Sequence, residues 1–582
     1  MERIDLIIIG AGVHGLTMAA TYHRMHPEAR LAIIDSASSI GGTWGSDRIF
    51  PGLVTNNQLG TLEHPDFPMD KKFGVKPGKH IPAETMLAYL NAFVDWSGIR
   101  AFLRLDTPVL HVQKSNQEWI VHCTSDTCSQ FRAKRLVLAL GHSNKPHLPG
   151  VPKPLTFTSP VIHSKEFGDN YSKIVRPAAH TIIVGGGKSA WDAAYACASQ
   201  PDSVATVVIR PSGKGPIWMT PSHVTPATMW LEKLVFTRFF SFFSPCPWAE
   251  KSGFEGWWRS FFHSTWLGRK ITAGFWHILG EDAVQISGLD KHPETKKMRP
   301  WRGAFEVGCA LSIHNYPSSI YNLVREGRIK IVFDEIVSLE GETSVRFRKQ
   351  DVMNVDAVIY ATGWEVGGSL EFKPASLATE LGMPTRAPLE SSESTLINKT
   401  EAYLHATYPF LRDRDTSRTT HYDSSMRYAQ DQDTTQQPYR LHRFIAPLSF
   451  LTDRTVAFTG ALYCLGTFPC AYLQSLWITA YFDNVLPKPF APLETLREET
   501  YRFTQYCALR GAMSHGRVFP DLVFDSLPYF DQLLKDMGLS GKRKGCQWSF
   551  SEAVLSYGPE DYEGLLDAVK EKLYKGAPKK DE

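Results

Sequence analysis

The sequence predicts an α/β fold built on two nested βαβ units with a helical, aromatic-rich insertion. Two glycine-rich turns, and the residue closing the strand after each, carry that prediction. The first turn reads Gly10-Ala11-Gly12-Val13-His14-Gly15 and follows the apolar run 6–9. The second reads Gly185-Gly186-Gly187-Lys188-Ser189-Ala190 and follows the run 181–184. Each opens onto a stretch with helical patterning. In that context glycines let the backbone approach a pyrophosphate at a helix N-terminus, so both units read as Rossmann-like dinucleotide sites. The binding positions are Gly10, Gly12 and Gly15 in the first unit, and Gly185, Gly187, Ser189, Ala190 and Asp192 in the second.

The next strand tells the two sites apart. The run 31–34 ends in Asp35 and the run 206–209 ends in Arg210, equally far beyond the first glycine of each turn. An acid there accepts hydrogen bonds from ribose hydroxyls, as FAD or NAD requires. An arginine suits the 2′-phosphate that only NADP carries. The first site therefore reads as FAD and the second as NADPH, and the pair suggests a flavin reduced by a nicotinamide. The bland alternative for the second is a tight strand-to-helix corner beside an unrelated surface arginine.

Composition narrows the class. The 582 residues suffice for two or three domains. Apolar residues make up 43% and charged residues 21%, an ordinary globular balance, and the net charge of +3 gives no reason to invoke nucleic acid. The nine cysteines are scattered, none in a CxxC pair and none in a zinc-like cluster with histidine, so neither a disulfide scaffold nor a metal is expected. A strand beginning by Ile4 leaves no room for a signal peptide, and no apolar run reaches the roughly 18 residues of a membrane span. The expectation is a cytoplasmic protein without a transmembrane segment.

Along the chain, residues 1–170 read as the first part of the FAD unit, with a β-meander at 107–141. Residues 171–340 read as the NADPH unit, with a helical insertion at about 217–305. Residues 341–540 read as the second part of the FAD unit; the strand-like run 357–360 reads as a pair with 329–332, and the run 456–458 followed by Gly460 marks the late return to the first unit. Within them, 390–440 is rich in Ser, Thr, Asp and Gln and reads as a surface loop or lid; 541–582 reads as a polar tail. The insertion is dense in aromatics, among them Phe239, Phe240, Phe242, Phe243, Trp257 and Trp258. Packing into a core is the default reading. A substrate tunnel, or peripheral membrane contact through 229–276, is the sharper one.

At this point the residues resemble a known family, the flavin-containing monooxygenases within the class B flavoprotein monooxygenases. Its fingerprint, Phe-x-Gly-x-x-x-His with an aromatic four residues on, is similar to Phe157-Thr-Ser159-Pro-Val-Ile-His163-Ser-Lys-Glu-Phe167. Ser159 replaces the glycine, and Gly168 follows where the family often carries Lys, Pro or Asp. Gly41-Gly42-Thr43-Trp44 resembles the loop beside the flavin, and Thr55-Asn56-Asn57 the stretch lining the flavin face. Ala361-Thr362-Gly363-Trp364 resembles the family's second Ala-Thr-Gly marker, whereas the first reads Ala139-Leu140-Gly141.

The resemblance implies FAD contacts from Gly42, Thr43, Trp44, Thr55, Asn57, Thr362, Gly363 and Gly460. It implies that Asn56 hydrogen-bonds near the flavin–NADP pair, and that His163 couples the two domains rather than doing acid–base chemistry. Read alone, Asn56 is also a loop asparagine satisfying the backbone, and His163 a linker histidine. The family's reaction has NADPH reduce the flavin, which meets O2 to form a C4a-(hydro)peroxide. One oxygen atom enters a small organic substrate and the other leaves as water. Nitrogen, sulfur, a ketone and an activated carbon all stay open as its target; the aromatic insertion suggests a bulky apolar natural-product intermediate. A reductase or dithiol–disulfide oxidoreductase is the alternative. It needs a cysteine pair beside the flavin, for which Cys123/Cys128 and Cys464/Cys470 are the candidates.

Overall fold

A computed structural model describes residues 2–124, 129–225, 229–306, 308–365, 370–412, 436–511, 518–545 and 550–575. Strands Glu2–Ile9 and Leu31–Ile34 carry apolar runs without alternation, so both of their faces have to be covered. They pair in parallel, Ile9 opposite Ile34. Gln130–Leu138 pairs in parallel on the other side of Glu2–Ile9 and closes the antiparallel meander with Val109–Ser115 and Glu118–Cys123. Val456–Phe458 adds a parallel strand against residues 136–138. Leu103–Arg104 and Glu371–Lys373 edge this eight-stranded sheet. Helix Val13–Met25 packs on it beside helix Thr467–Phe482. The latter carries no charged residue and is buried on every side, as an apolar surface all round demands.

The second sheet is wholly parallel, in the order Ile329–Val332, Val204–Val208, His180–Val184, Ala357–Tyr360, Val161–His163. Two of these strands depart from the expected boundaries. Val161–His163 and Ala357–Tyr360, read from sequence as parts of 1–170 and 341–540, belong to the second sheet. The chain crosses between the sheets twice, side by side: His147 N–H donates to the Gly363 carbonyl at 3.0 Å, and Pro146 bridges to Trp364.

Two other stretches differ from expectation. Residues 391–412 are helical, as Ser391–Thr407 and Pro409–Arg412, because Leu396, Thr400 and Leu404 recur on one face and bury against helix Leu493–Arg510. The rest of the expected lid, 413–435, lies outside the described residues. The expected polar tail is anchored: Tyr557, Tyr562, Leu565, Leu566 and Val569 are buried, and Leu566 N–H donates to the Tyr472 hydroxyl at 3.0 Å. Residues 576–582 lie outside the described residues.

The insertion contains helices Leu231–Val235, Arg238–Ser241, Gly253–Ser264 and Trp266–Ser287. Phe240, Phe242, Phe243, Phe262 and Trp276 pack into the core. Buried Arg238 holds the insertion to the C-terminal region through Asp531 (2.6 Å) and Glu552 (3.2 Å). Trp257, Trp266, Leu267 and Ile278 instead face outward. No helix among the described residues is long and apolar enough to cross a membrane.

Candidate active site

Close approach explains the first glycine turn. Gly10 adopts φ +114°, and its N–H donates to the Ile34 carbonyl at 2.8 Å. A Cβ on Gly10 would stand 2.2 Å from the Ala139 carbonyl oxygen, and one on Gly15 would stand 1.9 Å from that of Gly10. Only glycine lets strand and helix meet so closely. Gly12 faces Gly42, and Gly41 N–H donates to the Ala11 carbonyl at 2.9 Å, which lays the single helical turn Gly42–Trp44 over the start of helix Val13–Met25. That helix has neither a side-chain cap nor an acidic residue in its first turn, so its unpaired N–H groups favour an anion. The Asp35 carboxylate accepts from the N–H groups of Ala11 (2.7 Å) and Ala37 (2.9 Å), which fixes it at the rim with acceptor capacity to spare for ribose hydroxyls. Gly460, at φ +69°, packs against His14 and donates its N–H to Gln474 Oε1 at 2.9 Å. This donor and acceptor set fits FAD.

The second turn repeats the geometry. Gly185 adopts φ +143°, donates to the Val208 carbonyl at 2.9 Å, and has no room for a Cβ beside the Ala361 carbonyl. Gly187 is open, Ser189 is exposed, Ala190 is buried, and helix Lys188–Ala198 has no side-chain cap. Register corrects the comparison of strand ends. Gly10 reaches Ile34 and Gly185 reaches Val208, so the position equivalent to Asp35 is Ile209, and Arg210 stands one residue further on. Ile209 is buried and brings no acid; the exposed Arg210 side chain makes no hydrogen bond or ion pair among the described residues. The Asp192 carboxylate is engaged by Lys188 Nζ and by the Tyr316 hydroxyl at 3.0 Å, which braces the turn.

The two units meet at strand Val54–Gln58. Thr55 turns inward: its hydroxyl donates to the Asn57 carbonyl and accepts from Ile81 N–H at 3.0 Å, so it holds the strand. Asn56 Oδ1 accepts from Ser312 Oγ at 3.3 Å and lies 3.5 Å from Asn315 Nδ2. Asn315 also donates to the Thr55 carbonyl at 3.1 Å and accepts from Lys188 Nζ at 2.9 Å. His163 is buried. Lys165 N–H donates to its Nδ1 (3.1 Å), so its Nε2 carries the proton and donates to the Gly363 carbonyl (3.0 Å). Burial holds that ring below its ordinary pKa range. The Thr362 hydroxyl donates to the His147 carbonyl at 2.5 Å. Ser159, standing for the family glycine, donates to the Val355 carbonyl at 2.7 Å, and a Cβ on Gly168 would lie 2.6 Å from the Ile49 carbonyl oxygen, which excludes a larger residue.

A cavity of about 170 Å³ opens beside Asn56 and Asn57. Its other walls come from helix Leu231–Val235, residues 308–313, residues 463–465 and Val523. Glu232 sits on this wall: Asn57 Nδ2 donates to its Oε1, and Gln58 N–H donates to its Oε2 at 3.2 Å. Sequence reasoning missed Glu232, Ser312, Asn315 and Lys188. The available signals were thin: a lone acid in the apolar stretch 230–235, and a lysine directly after the third glycine. Cys464 also lines the cavity and donates to Ser526 Oγ at 3.2 Å. Cys470 is fully buried, and burial pushes its thiol well above the ordinary range. Both are free thiols, and Cys128 lies outside the described residues.

Comparison with known proteins agrees with this architecture. The family described as pyridine nucleotide-disulphide oxidoreductase matches residues 7–230. The FAD-dependent monooxygenase resA of Aspergillus sclerotiorum is 30% identical, with 97% of each chain covered. The FAD-dependent monooxygenase rstn6 of Aspergillus nomiae is likewise 30% identical over 97% of each chain. Among solved structures, cyclohexanone monooxygenase from Rhodococcus sp. Phi1 bound to NADP+ has the same fold, with a TM-score of 0.57 at 17% identity, covering 99% of this chain and 98% of the other. Two glycine-built nucleotide cradles joined at Asn56, and 30% identity to these relatives along nearly the whole chain, place the protein among the FAD-dependent monooxygenases of the class B flavin monooxygenase family.

Proposed function

We propose that NADPH is the reductant, and that oxygen is inserted into a small, largely apolar organic molecule held in the cavity beside Asn56 and Asn57. The observation that carries this reading is the cavity's position: it opens at the strand where the two nucleotide units meet, and Leu231, Val235, Leu311, Ile313, Leu465 and Val523 give it an apolar wall. FAD, when bound, supplies the activation of O2. The chain's own residues bind, orient and exclude water. Gly10, Gly12 and Gly15 with the uncapped helix hold the pyrophosphate, and Asp35 takes ribose hydroxyls. Gly42, Thr43 and Trp44 cover that helix start. Gly185, Gly187, Ser189 and Ala190 hold the pyrophosphate of NADPH, with the exposed Arg210 toward the 2′-phosphate. Asn56 and Asn57 present carboxamides to the reaction space, while Asn315 and Lys188 keep the two units in register. His163, Thr362 and Gly363 pin the double crossing between the sheets. A dry, fixed polar environment of this kind lets a reactive oxygen species reach the substrate before water does.

The experiment is anaerobic reduction of the FAD-loaded protein with NADPH, followed by mixing with O2 while the flavin spectrum is recorded. A transient spectrum unlike that of either oxidised or reduced flavin, coupled to product, supports the reading. Immediate return to oxidised flavin with all electrons in hydrogen peroxide removes it.

We also read the outward face of helices Gly253–Ser264 and Trp266–Ser287 as a contact for anionic lipid. Trp257 is 60% exposed and Trp266 68%, Phe254, Leu267, Ile271 and Ile278 continue the face, and Lys251 and Lys270 lie exposed beside them. Peripheral contact there is consistent with a cytoplasmic enzyme, a location that the seven free thiols among the described residues also favour.

A further inference from the structure

We propose that Glu232 is the polar anchor of the substrate cavity, and that it recognises a protonated amine on an otherwise apolar substrate. The inference rests on the reading above, because it takes the cavity for the substrate site.

Glu232 is only 7% exposed, on the helix Leu231–Val235. It is the sole ionised side chain type among the described residues lining the cavity. Both of its oxygens already receive neutral donors, Asn57 Nδ2 and Gln58 N–H. Those donors arrange the carboxylate but bring no charge. Lys233, the neighbour in sequence, is turned away, with its Nζ 3.5 Å from Glu560 Oε1. No cation pairs with Glu232 among the described residues. A carboxylate has about four acceptor sites, so it keeps capacity on the cavity side.

A buried carboxylate without a counter-ion is costly, and groups of that kind concentrate at functional sites. Burial pushes the Glu232 carboxyl up to about 7, against hydrogen bonds from Thr61, Asn57 and Gln58 and the charge of Lys233. The other titratable groups on the wall do not supply the missing charge. The Tyr463 phenol is pushed well above its ordinary range by burial and stays neutral, and Cys309 and Cys464 are thiols. Hydrogen-bond donors are therefore present and a positive charge is what the wall lacks. An ammonium group delivers both a charge and donors, while the apolar residues opposite accept a hydrocarbon body.

The test uses the FAD-loaded full chain and three probes of one shape: cyclohexylmethylamine, cyclohexylmethanol and methylcyclohexane. Flavin difference spectra and unfolding midpoints report binding between pH 6 and pH 8, a range in which the amine stays protonated. In the wild-type protein the amine should bind roughly tenfold more tightly at pH 8 than at pH 6, as the carboxyl ionises, while the alcohol and the hydrocarbon stay level. Glu232→Gln should abolish that rise and leave methylcyclohexane unchanged. Amine affinity that is flat with pH, or a rise that survives Glu232→Gln, overturns the proposal. Should the variant fail to load FAD, the wild-type series decides by itself. NADPH reduction and O2 mixing on the same samples keep the two readings apart. Loss of oxygenation with the amine pattern intact removes the oxygenase reading, whereas normal oxygenation with a flat amine series removes the anchor.

Discussion

The carboxamide of Asn315 lies 3.5 Å from that of Asn56, across the junction between the two nucleotide units. Asn315 also bonds the carbonyls of Val54 (3.3 Å) and Thr55 (3.1 Å) and receives Lys188 Nζ (2.9 Å). One side chain thus ties the strand that carries Asn56 to the first turn of the second unit's helix. Lys188 in turn lies over the Tyr316 ring at 4.6 Å and engages Asp192, so the tie is braced on its far side.

Asn56→Ala and Asn315→Ala should separate chemistry from positioning. Asn56→Ala is expected to keep FAD content and NADPH oxidation while product falls and hydrogen peroxide rises, because hydride transfer needs only stacked rings and oxygen transfer needs a fixed polar environment. Asn315→Ala should show the same leak together with a stability loss of about 1–2 kcal/mol from its unmade hydrogen bonds. Peroxide yield, flavin content and unfolding midpoint measured on one sample check both. Loss of flavin in Asn56→Ala would make that residue structural.

Arg210→Ala should raise the apparent KM for NADPH roughly tenfold to a hundredfold, the worth of one charge-assisted contact. NADH kinetics should barely change, since Ile209 rather than an acid precedes it. Equal effects on both nucleotides would show that the arginine serves the fold and not the phosphate.

The Glu232 carboxyl should make stability depend on pH in a defined direction. Its pKa rises from 4.5 to about 7 on folding, so the folded state binds the proton more tightly. Its stabilising contribution is full below pH 4.5 and is lost as pH rises through about 7. Relative to Glu232→Gln, the wild-type protein should lose on the order of 3 kcal/mol between pH 5 and pH 8. Unfolding midpoints of both proteins at the two pH values give the comparison; parallel curves would mean that the carboxylate is solvated or paired in solution.

The face carrying Trp257 and Trp266 should bind vesicles containing anionic lipid in a salt-sensitive way. Replacing both tryptophans by Ser should abolish co-sedimentation and leave FAD content unchanged, since neither side chain is buried. Wild-type protein that stays in the supernatant at low salt would exclude the membrane reading.

Local chemistry made the nucleotide units legible from sequence. A parallel strand buried on both faces writes a short apolar run, and a backbone that must pass within contact of another writes glycine. Gly10, Gly15 and Gly185 could therefore be found without coordinates, and the strand Val456–Phe458 is the run expected. Patterning failed where burial comes from distant partners. Residues 391–412 look like a polar loop until Leu396 and Leu404 meet the helix Leu493–Arg510, and 557–569 look like a tail until Tyr557, Tyr562 and Leu565 enter the core.

By itself the sequence determined the two glycine cradles, the acid at Asp35, the arginine at the second site and the family, because each rests on neighbours within one βαβ unit or on identity along the chain. The tertiary structure alone decided four matters. It shifted Arg210 one register position beyond the equivalent of Asp35. It tied Thr55 to Ile81, and Asp192 to Lys188 and Tyr316. It assigned Val161–His163 and Ala357–Tyr360 to the second sheet. It brought Glu232, Ser312 and Asn315 to the strand of Asn56. The physical reason is common to all four: a side chain's partner and a strand's neighbour are chosen by packing between segments that are not neighbours in the chain, 26 residues apart for Thr55 and Ile81 and 259 for Asn56 and Asn315, and that choice leaves no periodic or local mark in the order of amino acids.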